Sequence, residues 1–368
     1  MESLEAEMNL EPRYKFIRYR GKGSFGVVGE YLDTKTNDRV AIKKLHKIED
    51  LIDAKRMLRE IRILGNYRHE NILNLRHIIA KPCEDYFTMY LVTDLLDVDL
   101  SKIIRQTRDD LTDEHIQYIM YQIFRALQFL HSGNIIHRDI KPSNILANEN
   151  CDIFLCDFGF AREAEDSSND MTEYVITRYY RAPEVMLSSQ KYTKAVDIWS
   201  AGCSFYELLV GTPLFQTKNY LDLIKLIVQI LGTPTDEAVD YIQNTHAKNF
   251  LSGLPYTPPN KVSNLVKNYP NKKALDLLDK CIEFDPRKRI TAEEALSHPY
   301  FESLFDYSDI VTAEVNVDFS FEISHGLSVF NLQKEILVEI NRINTATGQE
   351  VIDVDTWEKM ANISKKFA

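Results

Sequence analysis

The stretches IIHRDIKPSN and IFLCDFGFAR carry polar side chains whose types and spacing suit phosphoryl chemistry. Asp139 is a candidate to accept a proton from a substrate hydroxyl. Asn144 and Asp157 offer hard oxygen atoms of the kind magnesium takes, and Lys141 can neutralise charge developing on a transferred phosphoryl group. Each alone would pass for a surface-loop residue; the set at these separations does not. Upstream, RGKGSFGVVGEY places Gly21, Gly23 and Gly26 between two β-like runs. A dinucleotide fold would need a helix after such glycines, whereas a strand follows here, which leaves a flexible hairpin closing over phosphates. Lys43 in VAIKK and Glu60 on the next helical stretch make sense as a pair. A lysine gripping phosphates must be held by a carboxylate, and a movable helix can supply or withdraw it. Further on, MTEYVITRYYRAPE sets two phosphorylatable hydroxyls, Thr172 and Tyr174, between the acidic run EAEDSSND and the basic Arg178 and Arg181.

The elements that must position these residues fall into two groups. Residues 13–96 alternate short β-rich runs with turn signals, as in YKFIRYR, GVVGEYL, RVAIKKL, NILNLRHIIA and FTMYLVTDLL, which predicts a small antiparallel sheet. One helical stretch, DLIDAKRMLREIRIL, interrupts it, with Leu51, Ala54, Leu58 and Ile61 recurring at spacings of three and four. From residue 97 the pattern becomes mainly helical, in EHIQYIMYQIFRALQFLHS, KAVDIWSAGCSFYELLVG, NYLDLIKLIVQILG and KKALDLLDKCIEF. The expected fold class is α+β, with two lobes meeting at Leu95, Leu96 and Asp97 and a ligand site in the cleft between them.

The 368 residues exceed the roughly 250–300 at which a single core stops growing, in keeping with two lobes. No apolar run approaches the roughly 20 residues that span a bilayer. MESLEAEMNLEP lacks the basic start and apolar stretch of a secretory signal, so the expected location is the cytoplasm, with the nucleus open. Five dispersed cysteines without a CxxC pair predict free thiols and no structural zinc. A net charge of −11 disfavours non-specific nucleic-acid binding and favours basic partner segments.

Taken together, the glycine loop, VAIK, HRDIKPSN, DFG and APE resemble the protein-kinase family in order and spacing, over residues 13–304. The resemblance implies a bilobal protein-kinase fold: an N-terminal tail at 1–12, an N-lobe at 13–96, a C-lobe at 97–304 and an extension at 305–368. It implies ATP and Mg2+ as cofactors. Gly21, Gly23 and Gly26 would cover the phosphates, Lys43 would contact the α- and β-phosphates while paired with Glu60, and Asp139 would be the catalytic base. Asn144 and Asp157 would be the magnesium ligands. Val28, Ala41, Thr93, Leu95, Asp99 and Cys156 would complete the nucleotide site, Leu95 at the hinge and Asp99 at the ribose. Glu184 would pair with Arg289, and Asp197 would brace the catalytic loop. Lys141, two residues after the catalytic aspartate, is similar to the serine/threonine branch.

TEY between DFG and APE resembles the dual-phosphorylation lip of the mitogen-activated protein (MAP) kinases, specifically the extracellular-signal-regulated subgroup. That implies a proline-directed kinase activated by an upstream dual-specificity kinase. Phospho-Thr172 would meet Arg59, Arg138 and Arg162; phospho-Tyr174 would meet Arg178 and Arg181. The segment LFQTKNYLDLIKLIVQILGTPTDEAVDYIQNTHAKNFLSGLP is similar to the MAP-kinase insert. Asp306 and Asp309 coincide with the acidic docking patch that receives basic motifs of substrates and phosphatases, beside a groove of Ile103, Leu111, His115 and Tyr118. Met186, Leu187, Tyr220, Leu221 and Ile224 match a second docking pocket. Thr93 at the gatekeeper position and Phe160 after DFG depart from the subgroup's usual glutamine and leucine. A non-catalytic scaffold is disfavoured by the complete set Lys43, Glu60, Asp139, Asn144 and Asp157. A cyclin-dependent kinase is disfavoured by TEY and by the absence of a PSTAIRE helix.

Overall fold

A computed structural model describes residues 8–10, 12–23, 26–82, 87–164, 178–187, 193–324 and 326–358. Strands β1 (Tyr14–Gly23), β2 (Gly26–Asp33) and β3 (Asp38–Leu45) lead to helix α1 (Leu51–Asn66), β4 (Leu75–Pro82) and β5 (Phe87–Asp94). Then come β6 (Val98–Asp99), α2 (Leu100–Thr107), α3 (Asp113–Ser132), β7 (Ile135–Ile136), β8 (Ile145–Ala147), β9 (Ile153–Leu155), β10 (Arg162–Glu163) and α4 (Pro183–Leu187). Helices α5 (Ala195–Val210), α6 (Tyr220–Leu231), α7 (Asp236–Val239), α8 (Thr245–Ser252), α9 (Lys272–Cys281), α10 (Ala292–Leu296), α11 (Ser320–Ile323) and α12 (Val329–Ala346) follow. The chain divides into one unit drawn from residues up to 68, 73–96 and from 317 onward, and a second drawn from 69–72 and 97–316.

In the first unit the strands run antiparallel in the order β1-β2-β3-β5-β4. Because side chains alternate across a strand, one face collects Tyr31, Val40, Ile42, Tyr90 and Val92, which pack with Met8, Leu10 and Tyr14 into an apolar core. Helix α1 starts at Asp50, whose carboxylate accepts the N–H of Asp53 at 2.8 Å. Its inner side is Ala54, Met57, Leu58, Ile61 and Leu64; Leu51, at the first helical position, is exposed. The 305–368 extension is divided: its first residues belong with the helical unit, and α12 packs on α1 and β4. Leu332, Ile336, Leu337, Ile340 and Ile343 give α12 a buried stripe at helical spacing. A Cβ at Gly65 would lie 2.5 Å from Ile343 Cδ1, so the close approach of α1 and α12 requires glycine there. β4 is an edge strand, and the Asn344 carboxamide closes it, accepting from Ile78 N at 3.1 Å and donating to Ile78 O at 2.8 Å.

The second unit is mainly helical, with two small sheets, β10-β7 and β6-β8-β9. Helix α5 is buried almost all round, from Val196 to Leu209, as expected of a central helix. Trp199 stacks on Phe215 with centroids 5.5 Å apart. The short β7 and β8 hold the two ends of the segment 137–144.

Candidate active site

Segment 137–144 is fixed from beneath by Asp197, fully buried in the first turn of α5. Its Oδ2 accepts the backbone N–H of His137 and its Oδ1 that of Arg138, both at 2.8 Å, and His131 Nε2 lies 2.9 Å from Oδ2. Arg138 sits at φ 68°, a left-handed conformation disfavoured for residues with a Cβ, and these hydrogen bonds hold it there. The N–H of Asp139 donates to His137 Nδ1 at 3.2 Å. That nitrogen is therefore the acceptor, and the ring proton is on Nε2, which donates to the carbonyl of Cys156 at 3.1 Å. One imidazole thus ties the segment to the residue preceding Asp157.

Asp139 is 4% exposed. Its Oδ2 accepts from Lys141 Nζ at 2.7 Å and from Asn144 Nδ2 at 2.7 Å. Burial pushes its carboxyl up, Lys141 draws it back, and the Asp157 charge adds to the rise. Asn144 Nδ2 also donates to the Asp139 carbonyl at 2.9 Å, which leaves the amide oxygen as its ligand atom. Asp157 adopts φ 65° at the end of the β8-β9 hairpin, and its Oδ1 is enclosed without a hydrogen-bond partner. An enclosed carboxylate oxygen and an amide oxygen, on segments joined where Cys156 N donates to the Asn144 carbonyl at 3.1 Å, are donors of the kind a hard cation takes, and Mg2+ fits them. Cys156 is half-buried, its Sγ donating to the Asn144 carbonyl at 3.4 Å.

In the first unit, register places Val28 opposite Lys43 and Ala41 opposite Thr93. Strand alternation then puts Val28, Ala41, Lys43 and Thr93 on one face, away from the apolar core just described. Lys43 Nζ donates to Glu60 Oε1 at 2.8 Å. Thr93 is 8% exposed, its hydroxyl at the Asp94 carbonyl. Gly21 and Gly23 end β1 and Gly26 begins β2. Gly26 has φ 155°, and a Cβ there would meet the Lys44 carbonyl oxygen at 2.0 Å, so only glycine is accommodated. Leu95 follows β5, half-buried.

The remaining expected site residues have partners that their spacing did not reveal. Asp99 caps α2, accepting from Lys102 N at 3.0 Å. Arg59 is held by Glu322, Nε to Oε1 at 2.7 Å. Arg138 Nη1 reaches the Phe160 carbonyl at 3.5 Å, and Arg162 lies on β10 opposite Ile136. Arg178 donates to the Lys218 carbonyl at 2.7 Å, and both it and Arg181 stand over the Tyr220 ring, at 4.9 and 5.3 Å. Thr172 and Tyr174 lie outside the described residues. Glu184 and Arg289 pair at 2.7 and 3.1 Å, both buried. Asp309 accepts from Tyr121 OH at 2.7 Å and lies 3.0 Å from Arg125, while Asp306 turns on Ser308. Ile103, Leu111 and Tyr118 are half-buried and His115 exposed. In the second proposed pocket, Leu187 and Ile224 are buried and Leu221 exposed. Sequence reasoning did not single out Glu322 or Asn344; the period of α12 was a usable signal for the latter's helix.

A carboxylate held by a lysine and an amide, near an enclosed carboxylate of the kind that takes a hard cation, suits phosphoryl transfer. Residues 14–301 match the protein kinase domain family, and the chain belongs to it. It is 43% identical over 326 residues to mitogen-activated protein kinase 6 of Arabidopsis thaliana, covering 88% of this chain and 81% of that one. With mitogen-activated protein kinase 3 of the same plant the identity is 45% over 305 residues, 82% and 81% of the two chains. With extracellular signal-regulated kinase 1 of Dictyostelium discoideum it is 42% over 339 residues, 91% of this chain and 62% of that longer one. Within the kinases, the chain is therefore a serine/threonine MAP kinase of the extracellular-signal-regulated type. ATP is the family's substrate and Mg2+ its usual cofactor; dual phosphorylation, proline direction and a place in a kinase cascade are typical of it. Among the described residues no helix is long and apolar enough to cross a membrane.

Proposed function

We propose that Asp139 takes the hydroxyl proton of a serine or threonine followed by proline as the γ-phosphoryl group of ATP is transferred to it. The observation that carries this reading is the Asp139 carboxylate, bonded by Lys141 and Asn144 through one oxygen while the other stays available for the incoming hydroxyl. Lys141 offsets charge on the moving phosphoryl group. Asn144 and Asp157 hold Mg2+, which when bound neutralises phosphate charge. Lys43, kept in place by Glu60, takes the α- and β-phosphates; Gly21, Gly23 and Gly26 cover them; Val28, Ala41, Thr93, Leu95, Asp99 and Cys156 serve the rest of the nucleotide. Substrates and phosphatases dock through basic motifs at Asp306 and Asp309, and an upstream dual-specificity kinase modifies Thr172 and Tyr174. A cytoplasmic location with entry to the nucleus goes with this reading and is checked by cell fractionation.

The switch is tested with purified unmodified, singly and doubly phosphorylated chains on one Ser-Pro peptide. Each phosphate engages its own arginines, so either alone gives a small fraction of the doubly modified rate. Glutamate at both positions imitates this poorly, since a carboxylate has fewer charges and oxygens than a phosphate. An unmodified chain as fast as the doubly modified one would overturn the reading.

A further inference from the structure

We propose that Glu322 is a positioning residue for the Lys43–Glu60 pair, acting through Arg59; the kinase reading enters only in assigning that pair to ATP. Arg59 and Glu60 are consecutive on α1, and both are buried. Consecutive helical residues project about 100° apart, so α1 is gripped at one level from two directions. On one side Glu60 meets Lys43 of β3 at 2.8 Å; on the other Arg59 meets Glu322 of α11 at 2.7 Å. Neighbouring turns of α1 are held by the same segment. Lys55 Nζ donates to the Glu322 carbonyl at 3.0 Å, and Arg62 donates to the Asp318 carbonyl at 2.7 Å and to Glu335 at 3.0 Å. Lys55, Arg59 and Arg62 follow helical spacing, so one stripe of α1 is given over to residues 318–335.

Within that stripe Arg59–Glu322 differs in kind. Its side chains are 3% and 1% exposed, against 14% and 63% for Arg62 and Asp318. An exposed pair is readily replaced by water, whereas separating charges in a low-dielectric interior is strongly opposed, so the buried pair tolerates little displacement. Glu322 therefore sets where α1 sits, and with it the place from which Glu60 reaches Lys43. Helix α11 spans only four residues, too few to hold itself, and is kept in place by Phe321, 1% exposed beneath Arg62 with the guanidinium 5.0 Å from its ring.

The test compares Glu322→Gln with Asp318→Asn in the full chain, the second loosening the same segment without touching Arg59. Two quantities are read on the unphosphorylated protein, in which no phosphate competes with Glu322 for Arg59: amide hydrogen exchange over residues 51–66, and the Kd for MgATP, with the Kd for a basic docking peptide as control. Glu322→Gln should speed exchange along α1 and raise the Kd for MgATP, each on the order of ten-fold, with the Kd for the docking peptide and exchange in β1–β3 unchanged. Asp318→Asn should do neither. Glu322→Asp, keeping the charge on a shorter arm, should show milder forms of both effects, and it decides the matter if the glutamine variant does not fold. Wild-type exchange along α1, or a loss spread equally over the sheet and both ligands, would overturn the inference. A wild-type chain without phosphotransfer would instead overturn the kinase reading, and exchange alone would then decide the role of Glu322.

Discussion

Asp197 and Arg138, 59 positions apart, are joined by a 2.8 Å hydrogen bond from the Arg138 N–H to a fully buried carboxylate. The same carboxylate accepts from His137 N and faces His131. An amide offers one acceptor oxygen and would turn an NH2 towards a second donor. Asp197→Asn should therefore destabilise the chain by about 3 kcal/mol and lower kcat on the order of 100-fold, with KM for ATP little changed. Thermal unfolding and steady-state kinetics check both parts; an equal loss in every kinetic constant would point to simple unfolding.

Asp157 sets cation binding against stability. Its enclosed Oδ1 lacks a partner, so a neutral isostere removes a desolvated charge, and asparagine tolerates φ 65° better than alanine does. Asp157→Asn should change stability by no more than about 1 kcal/mol yet cut phosphotransfer on the order of 10²–10³-fold. Unfolding curves with and without Mg2+ and ATP should show ligand-induced stabilisation in the wild type only.

The Asp139 carboxyl lies above its ordinary 3.8, chiefly through burial. A group that holds its proton more tightly when folded favours folding where it is protonated. Asp139 thus lowers stability at neutral pH, and that cost fades as pH falls through its raised folded value. Asp139→Asn should accordingly be more stable than the wild type at pH 7, with the difference shrinking in acid. Activity follows the opposite sign, because the base must be ionised. The acid limb of kcat/KM should stand above the usual carboxylate range, and Lys141→Ala, which removes the opposing charge, should move it further up. An unmoved limb would mean that another group titrates.

Asp306 and Asp309 should separate experimentally. The Asp309 carboxylate is tied to Tyr121 and Arg125, whereas the Asp306 side chain is exposed and its carboxylate bonds Ser308 within its own turn. Asp306→Asn should weaken a basic docking peptide roughly two- to five-fold at low salt, less at high salt, without altering the unfolding midpoint. Asp309→Asn should also cost about 1 kcal/mol of stability. Fluorescence titration at two ionic strengths, beside turnover of a peptide lacking a docking motif, distinguishes the two.

What the sequence made legible was local. The β-rich runs of 13–96 became a five-stranded antiparallel sheet, and the long apolar periods became α1, α3, α5, α6 and α9. Asp139, Lys141 and Asn144 come together because five residues and a tight turn suffice to join them. The partner of Arg59 is 263 positions away and that of Ile78 is 266 away. Such pairs leave no trace in spacing, and a glutamate in an acidic extension looks like any solvated charge. Leu51 misled in the other direction: it fits the helical period, but at the first turn of α1 it is left 40% exposed. Asp99 has a cap's position ahead of an apolar helix, a signal that its expected place at the ribose obscured.

The Asn344 carboxamide that closes the β4 edge also sets an order of events during synthesis. At about 5–20 residues per second, the 266 positions between Ile78 and Asn344 take roughly 13–53 s to emerge. A sheet formed early stands through that interval with the outward N–H and C=O of Ile78 unpaired, a template for any other nascent strand. The helical unit, whose residues all precede 317, can meanwhile complete its own core. Premature termination before residue 344 would leave that edge open for the life of the chain, so truncated products should be far more prone to aggregate than their few missing residues suggest.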